Sequence, residues 1–162
     1  MITLSVSDND IQFAKEQIKR FTAIPQGKWR YEGVEAWRGI VCEMLTSEWL
    51  EQNFKVQERA KGLDTTGVPD DYDLVISNKK VEIKAATKNY FKYVMPKIHD
   101  VINKPKDIYI ATKYNETTTP NEVIVVGYMN RDDIFNHPIE QDKGAPYYKV
   151  PLKAFSPFRI SV

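Results

Sequence analysis

The chain has 162 residues, of which 42% are hydrophobic and 28% are charged, and its formal net charge is +1. This composition is typical of one globular domain with a hydrophobic core, and less basic than that of proteins that coat DNA. The single cysteine, Cys42, excludes an intramolecular disulfide and a cysteine-clustered zinc site, and it favours a reducing, cytoplasmic setting. No apolar segment follows Met1 and no apolar run is long enough to cross a bilayer, so we expect neither a signal peptide nor contact with a membrane.

Two helices are predicted in the first third of the chain. Residues 2–6 favour a short strand, and residues 8–20 favour an amphipathic helix. Residues 28–31 alternate basic and aromatic side chains, a pattern that either contacts DNA or packs its rings on the core. The second helix, about 34–52, has an apolar stripe formed by Val34, Trp37, Val41, Met44, Leu45 and Trp49. By helical angle, Glu48 lies near the middle of this stripe and Glu43 on its flank.

A β-hairpin with charged residues follows a strand at about 54–59 and a loop at 61–69. Residues 73–76 and 80–84 are rich in β-branched side chains, and polar residues separate them. A two-residue turn at Asn78 and Lys79 would place Asp73 opposite Lys84. Because side chains alternate between the faces of a strand, Asp73, Glu82 and Lys84 would then share one face. The other face would carry Leu74, Ile76, Val81 and Ile83.

Two carboxylates beside a lysine suit a magnesium site. Carboxylate oxygens bind Mg²⁺, which lowers the pKa of a bound water and offsets charge on a phosphoryl oxygen. A neighbouring lysine would hold or deprotonate that water. The alternative is a solvated hairpin, since Asp, Glu and Lys are also the usual residues of an exposed strand face.

Two motifs extend this interpretation. Asp73-x₈-Glu82-x-Lys84, preceded by Pro69-Asp70, resembles the motif of the PD-(D/E)xK nuclease superfamily. Upstream, the helical spacing Gly39-x-x-x-Glu43 is similar to that of archaeal Holliday-junction-resolvase-like and phage-type nucleases of this superfamily. The resemblance covers about residues 34–129. It implies a restriction-endonuclease-like α/β fold, in which a central mixed β-sheet is flanked by helices in the order αβββαβ. The length of the chain favours a single domain over residues 1–162.

The resemblance also implies roles for individual residues. Asp73 and Glu82 would hold Mg²⁺, for which Mn²⁺ can substitute, together with the Ile83 carbonyl and Glu43, directly or through water. Lys84 would position or activate the attacking water. Asp70 and Asp71 remain open as helpers or replacements of Asp73, and Glu35 and Glu48 as replacements of Glu43.

The remainder of the chain is expected to complete the sheet and contact DNA. Lys88, Lys92 and Lys113 are candidate phosphate contacts. A helix is predicted over about 90–103, where Pro96 must kink or split it. Buried strands are predicted at 107–112 and 122–128, a short helix at about 130–134, and mostly irregular structure after residue 137 with one strand near 147–150.

The expected function is that of a Mg²⁺-dependent endodeoxyribonuclease, of junction-resolvase-like or phage type. A type II restriction endonuclease is an alternative, although the chain is short for the recognition segments that such an enzyme needs. A DNA-binding or assembly protein that shares the fold without cleaving is an alternative from another class. DNA is the expected partner, and a homodimer is expected because enzymes that cut both strands often pair two sites.

Overall fold

The protein is a mixed α/β structure built on one large curled sheet. The computed structural model describes residues 1–22, 36–59, 73–142 and 144–159. The helices in these ranges are α1 (Asp8–Thr22), α2 (Trp37–Asn53), α3 (Ile98–Asn103) and α4 (Arg131–Ile134), with a short 3₁₀ turn at Leu152–Ala154. The strands are β1 (Ile2–Ser5), β2 (Val56–Arg59), β3 (Leu74–Ile76), β4 (Lys79–Ala86), β5 (Tyr93–Val94), β6 (Ile108–Asn115), β7 (Glu122–Asn130), β8 (Ile139–Glu140), β9 (Tyr147–Tyr148) and β10 (Val150–Pro151).

Six strands form the central sheet in the order β1-β7-β6-β4-β3-β2. β4 and β6 are parallel, whereas the other neighbouring pairs are antiparallel. Along the chain, α2 precedes β2, β3 and β4, and α3 lies in the connection from β4 to β6. The sheet is therefore mixed, as the sequence predicted.

The two faces of the sheet pack against different layers. Ile83 and Ile110 point to the face covered by α2, where they pack with Trp49 and Leu50. Tyr109 and Ala111 alternate with them and pack on the opposite face with Val101 of α3 and with residues of the C-terminal segment. The period-two pattern of β4 and β6 therefore separates an α2 layer from an α3 layer.

α1 begins at two reciprocal hydrogen bonds between Ser7 and Asp10. The Ser7 hydroxyl accepts a hydrogen bond from the Asp10 amide at 3.1 Å, and the Asp10 carboxylate accepts one from the Ser7 amide at 2.9 Å. This arrangement follows the capping-box pattern, which satisfies backbone donors that the first helical turn leaves unpaired. The predicted start of this helix is confirmed.

The hairpin turn lies one residue earlier than predicted. Ser77 and Asn78 occupy the turn with φ of +51° and +61°, and Leu74 pairs with Val81. Asparagine tolerates this left-handed conformation better than lysine, and Gln57 donates a hydrogen bond to the Asn78 side chain at 2.9 Å. The pairing moves by two residues, which preserves the face that each side chain occupies.

The predicted helix over 90–103 is wrong in its first half. Residues 87–92 are irregular, β5 follows, and α3 begins only at Ile98. Pro96 explains this difference, because a proline disfavours helical backbone at the residue before it, here Met95. Of the predicted helix, only the part after Pro96 forms.

No helix in the described ranges is both long and apolar enough to span a bilayer.

Candidate active site

The candidate site occupies the place where β3 and β4 separate. In the described chain β3 pairs with β4 only as far as Val81, while β4 continues along β6 to Ala86. We call the space beside residues 82–84 of β4, beyond the start of β3, the fork. Its wall is the side of β4 that pairs with no described strand beyond Val81, so backbone groups of β4 face it.

Asp73 closes the fork at the start of β3. Its amide donates a hydrogen bond to the Val81 carbonyl at 3.0 Å. Its carboxylate oxygen Oδ2 accepts one from the Ile83 amide at 2.6 Å. The Ile83 amide therefore points into the fork, and the carbonyl of the same strand residue points to the same side. This agrees with the predicted placement of Asp73 and Ile83 together.

Glu82 is held between two lysines. Its Oε1 atom lies 3.2 Å from Nζ of Lys84, and its Oε2 atom lies 3.4 Å from Nζ of Lys106. The contact with Lys106 is ionic but lacks hydrogen-bond geometry, so Oε2 is buried without a hydrogen-bond partner among the described residues. Glu82 and Lys84 were predicted to be neighbours; Lys106 was not predicted at all.

Glu43 of α2 reaches the same cluster. Its side chain lies close enough to the Asp73 carboxyl group for its charge to act on that group. Burial raises the pKa of Asp73 well above its ordinary value, and the negative charges of Glu43 and then Glu82 raise it further, against a smaller opposite effect of the Ile83 hydrogen bond. Three carboxyl groups therefore meet in a desolvated space where their charges repel.

The two lysines lower the pKa of Glu82, whereas the neighbouring carboxylates raise that of Asp73. Burial raises the pKa of Glu82, but the nearby charges of Lys84 and Lys106 outweigh it, and the net pKa is lowered. Burial likewise lowers the pKa of Lys84, yet Glu82 and Asp73 reverse this effect and raise the pKa to about 12. Lys84 is therefore protonated at neutral pH.

Three groups near the cluster escaped the sequence prediction. Lys106 precedes β6 and its side chain is only 3% exposed. Tyr109 pairs with Glu82 in the parallel register, and its hydroxyl is buried without a hydrogen-bond partner within the described ranges. Burial and the charge of Glu82 raise the pKa of Tyr109 to about 12. Asp100 of α3 lies close enough for its charge to raise the pKa of Lys84.

The parallel register of β4 and β6 places Tyr109 opposite Glu82, whereas Lys106 precedes β6 and Asp100 lies on α3. Asp107 fixes that register, because its side chain accepts a hydrogen bond from the Lys80 amide at 2.8 Å and its own amide donates to the Lys80 carbonyl at 2.9 Å. A single sequence does not show which residues of two distant strands are paired.

The other predicted residues fall in three groups. Glu48 is exposed on α2, so its predicted place in the buried stripe is wrong, whereas Glu43 faces the cluster. Lys88 and Lys92 lie on the irregular segment after β4, and Lys113 pairs with Ala86 on the face that carries Lys84. Several predicted residues lie outside the described residues: Glu35, Asp70, Asp71, the segment 28–31 and the loop 61–69.

The donor set of the fork fits a hard divalent cation. The described residues contain no group of three or more His, Cys, Asp or Glu side chains arranged around a metal position, and Glu82 contacts the two lysines. Even so, Glu43 and Glu82 lie close enough to Asp73 for their charges to act on it, and carboxylate oxygens are the ligands that such a cation prefers. Oε2 of Glu82 has no hydrogen-bond partner among the described residues. A cation among them would remove the repulsion that raises the pKa of Asp73.

Comparison with protein-family models, with curated proteins and with solved structures found no match to this chain.

Proposed function

We propose that this protein is a Mg²⁺-dependent endodeoxyribonuclease that hydrolyses DNA phosphodiester bonds in the fork. The observation that carries the proposal is the meeting of Glu43, Asp73 and Glu82 with Lys84 at one half-buried point. These residues come from α2, the start of β3, and β4. The order of α2, β2, β3, β4, α3 and β6 along the chain supports assigning the core to the restriction-endonuclease-like class.

The carboxylates would hold the cation. Asp73 and Glu82 would contribute oxygen ligands with the Ile83 carbonyl, and Glu43 would complete the set directly or through water. When bound there, Mg²⁺ supplies Lewis-acid stabilisation of phosphoryl charge and lowers the pKa of a coordinated water; Mn²⁺ is expected to substitute. The hydrogen bond from the Ile83 amide keeps Asp73 at the edge of β4, so its orientation does not depend on the cation.

Lys84 would supply positive charge and hydrogen bonds. Glu82 and Asp73 raise the pKa of Lys84 to about 12, so its ammonium group is charged in the cation-free protein and would donate to the attacking water and to a phosphate oxygen. Charge developing on the phosphoryl oxygens is stabilised by such a preoriented donor. The products would carry a 5′-phosphate.

The DNA backbone would be bound beside the fork. Lys88 and Lys92 lie on the irregular segment that follows β4, and Lys113 lies next to Ala86 across the strand pair. Contacts of this kind are independent of sequence and weaken as salt rises. We infer a junction-resolvase-like or phage-type enzyme in preference to a type II restriction endonuclease, and a homodimer that presents two sites.

A second candidate is a DNA-binding or assembly protein that does not cleave. The ion pairs of Glu82 with Lys84 and Lys106 favour it, because they balance the charge of this carboxylate without a cation. The two candidates differ in one result, namely whether the wild-type protein cuts DNA.

The test is a cleavage assay on linear, nicked, flapped and four-way DNA with Mg²⁺ or Mn²⁺. Wild-type protein is expected to cut at least one substrate, and Glu82→Ala and Lys84→Ala are expected to lose about 100-fold or more in rate. The matched controls are Glu48→Ala and Lys79→Ala, which remove exposed charges of the same kinds and should keep the rate within about twofold. Cleavage that survives both site substitutions refutes the site, and binding without cleavage by the wild type supports the second candidate.

A further inference from the structure

Lys106 is a buried cation that the mechanism above does not use. Its Nζ atom donates a hydrogen bond to the Lys104 carbonyl at 2.7 Å and lies 3.4 Å from Oε2 of Glu82. Its side chain is 3% exposed, whereas the side chain of Lys84 is 28% exposed. A lysine that is almost fully buried needs a strong reason to be there, since desolvating an ammonium group is costly.

The two lysines differ in how firmly they are held. Lys106 has a backbone anchor as well as the carboxylate, and its side chain lies beneath the protein surface. Lys84 also binds Glu82, but it lies on the more open side of the fork. Of the two, Lys84 is therefore the one that can turn towards a water or a phosphate without leaving a buried charge unpaired.

We propose that Lys106 is a positioning residue that keeps hold of Glu82 when a divalent cation binds, while Lys84 is released to the substrate. Lys106 attracts the carboxylate by charge from 3.4 Å and supplies one positive charge that remains in the cluster. This inference rests on the proposed function, because it assigns Glu82 to a cation site.

The charge of Lys106 predicts whether its removal strengthens or weakens cation binding. Glu43, Asp73 and Glu82 carry up to three negative charges, and Lys84 and Lys106 carry two positive ones. Replacing Lys106 by a neutral residue of similar length makes the cluster more negative, so a divalent cation should bind more tightly. The same change removes the group that orients Glu82, so turnover should fall. If Lys106 had a merely structural role, its replacement would weaken both cation binding and turnover.

The first experiment is calorimetric titration of the DNA-free protein with Ca²⁺ and Mn²⁺. Lys106→Met is expected to bind the cations about tenfold more tightly than the wild type, and to cleave DNA about tenfold or more slowly with Mg²⁺. Lys106→Arg keeps the charge and should bind the cations within about twofold of the wild type. The control is Lys153→Met, which removes an exposed lysine of the 3₁₀ turn and should change neither property.

A second measurement uses the wild type alone, so it does not depend on whether Lys106→Met folds. In nitrogen-15 NMR spectra of the lysine ammonium groups, addition of Ca²⁺ is expected to shift the Lys84 resonance and to leave that of Lys106 in place. Equal or weaker cation binding by folded Lys106→Met, or a shift of the Lys106 resonance with cation, overturns the inference and leaves the proposed function standing. Absence of any cation binding by the wild type overturns both.

Discussion

The arrangement of the charged residues in the fork lowers the stability of the cation-free protein. Glu43, Asp73 and Glu82 are brought together where they are partly shielded from water, so their like charges repel. The two lysines that contact Glu82 offset only part of this repulsion, and the raised pKa of Asp73 reports the remainder. Sites that perform chemistry often have such an arrangement, because a ligand or substrate supplies the missing charge.

Asp73→Asn should make the cation-free protein more stable at neutral pH. Because burial, Glu43 and Glu82 raise the folded-state pKa of Asp73 above its unfolded value, this group stabilises the fold below the unfolded pKa, and that contribution is lost as pH rises through the folded pKa. Asparagine does not ionise, and its carbonyl oxygen can still accept the Ile83 hydrogen bond. We expect the Tm of Asp73→Asn in EDTA at pH 7.5 to exceed that of the wild type by about 2–5 °C.

The pH dependence of the Tm and a control substitution test whether loss of the Asp73 charge causes the higher Tm. The difference in Tm should shrink as the pH falls towards 4, and added Mg²⁺ should raise the Tm of the wild type but not of Asp73→Asn. The control is Asp132→Asn, which changes an exposed carboxylate of α4 and should show neither behaviour. A lower Tm of Asp73→Asn at pH 7.5 in EDTA contradicts the charge balance described for the fork.

At the scale of single elements, the hairpin shows what a sequence pattern can predict. Alternation of β-branched and charged residues suffices to place Asp73, Glu82 and Lys84 on one face, and Leu74 and Val81 are buried on the other. The position of the turn depended instead on which two residues adopt left-handed backbone, and Gln57, distant in sequence, contacts Asn78 there. The face was therefore predicted correctly from local pattern, whereas the register was not.

α2 shows a limit of the same method. The apolar stripe placed Glu48 near its centre, yet Glu48 is exposed and the neighbouring Thr46 and Ser47 are buried. This helix packs on more than one side, so small polar residues line part of its buried surface. An apolar stripe therefore does not show by itself which side of the helix is buried. The spacing Gly39-x-x-x-Glu43, which selected Glu43, agrees with the side chain that reaches Asp73.

Gly127 of β7 is required by the close approach of the C-terminal segment. The Tyr128 and Ser156 amides each donate to the carbonyl of the other residue at 2.9 Å, which brings residue 156 against β7. A Cβ atom added at Gly127 would overlap the Ser156 carbonyl. We expect Gly127→Ala to lower the free energy of unfolding by about 2–3 kcal/mol, measured by urea denaturation.

Gly144→Ala is the matched control for this substitution. A Cβ atom at Gly144 would meet no atom within 4 Å, and its backbone is not in the left-handed region. The free energy of unfolding should therefore change by less than about 0.5 kcal/mol. Equal effects of the two substitutions would show that the C-terminal segment does not lie against β7 as described.

At the scale of the whole molecule, the topology assembles the fork from parts that are distant in sequence. Glu43 comes from the α2 layer, Asp73 and Glu82 from neighbouring strands, and Lys106 from the linker that follows α3. Lys106 stands in a polar segment, Asn103-Lys104-Pro105-Lys106-Asp107, that reads as an ordinary exposed linker. Its burial follows from the parallel pairing of β4 with β6, which a single sequence does not reveal.

The most direct test of the central claim is anomalous X-ray diffraction from crystals of the wild-type protein soaked in Mn²⁺. We predict a manganese peak in the fork, bound by oxygens of Asp73 and Glu82 with Glu43 direct or through water, and Lys84 turned away from Glu82 while Lys106 stays in contact with it. A fork without manganese, in which Glu82 still binds both lysines, would contradict the account.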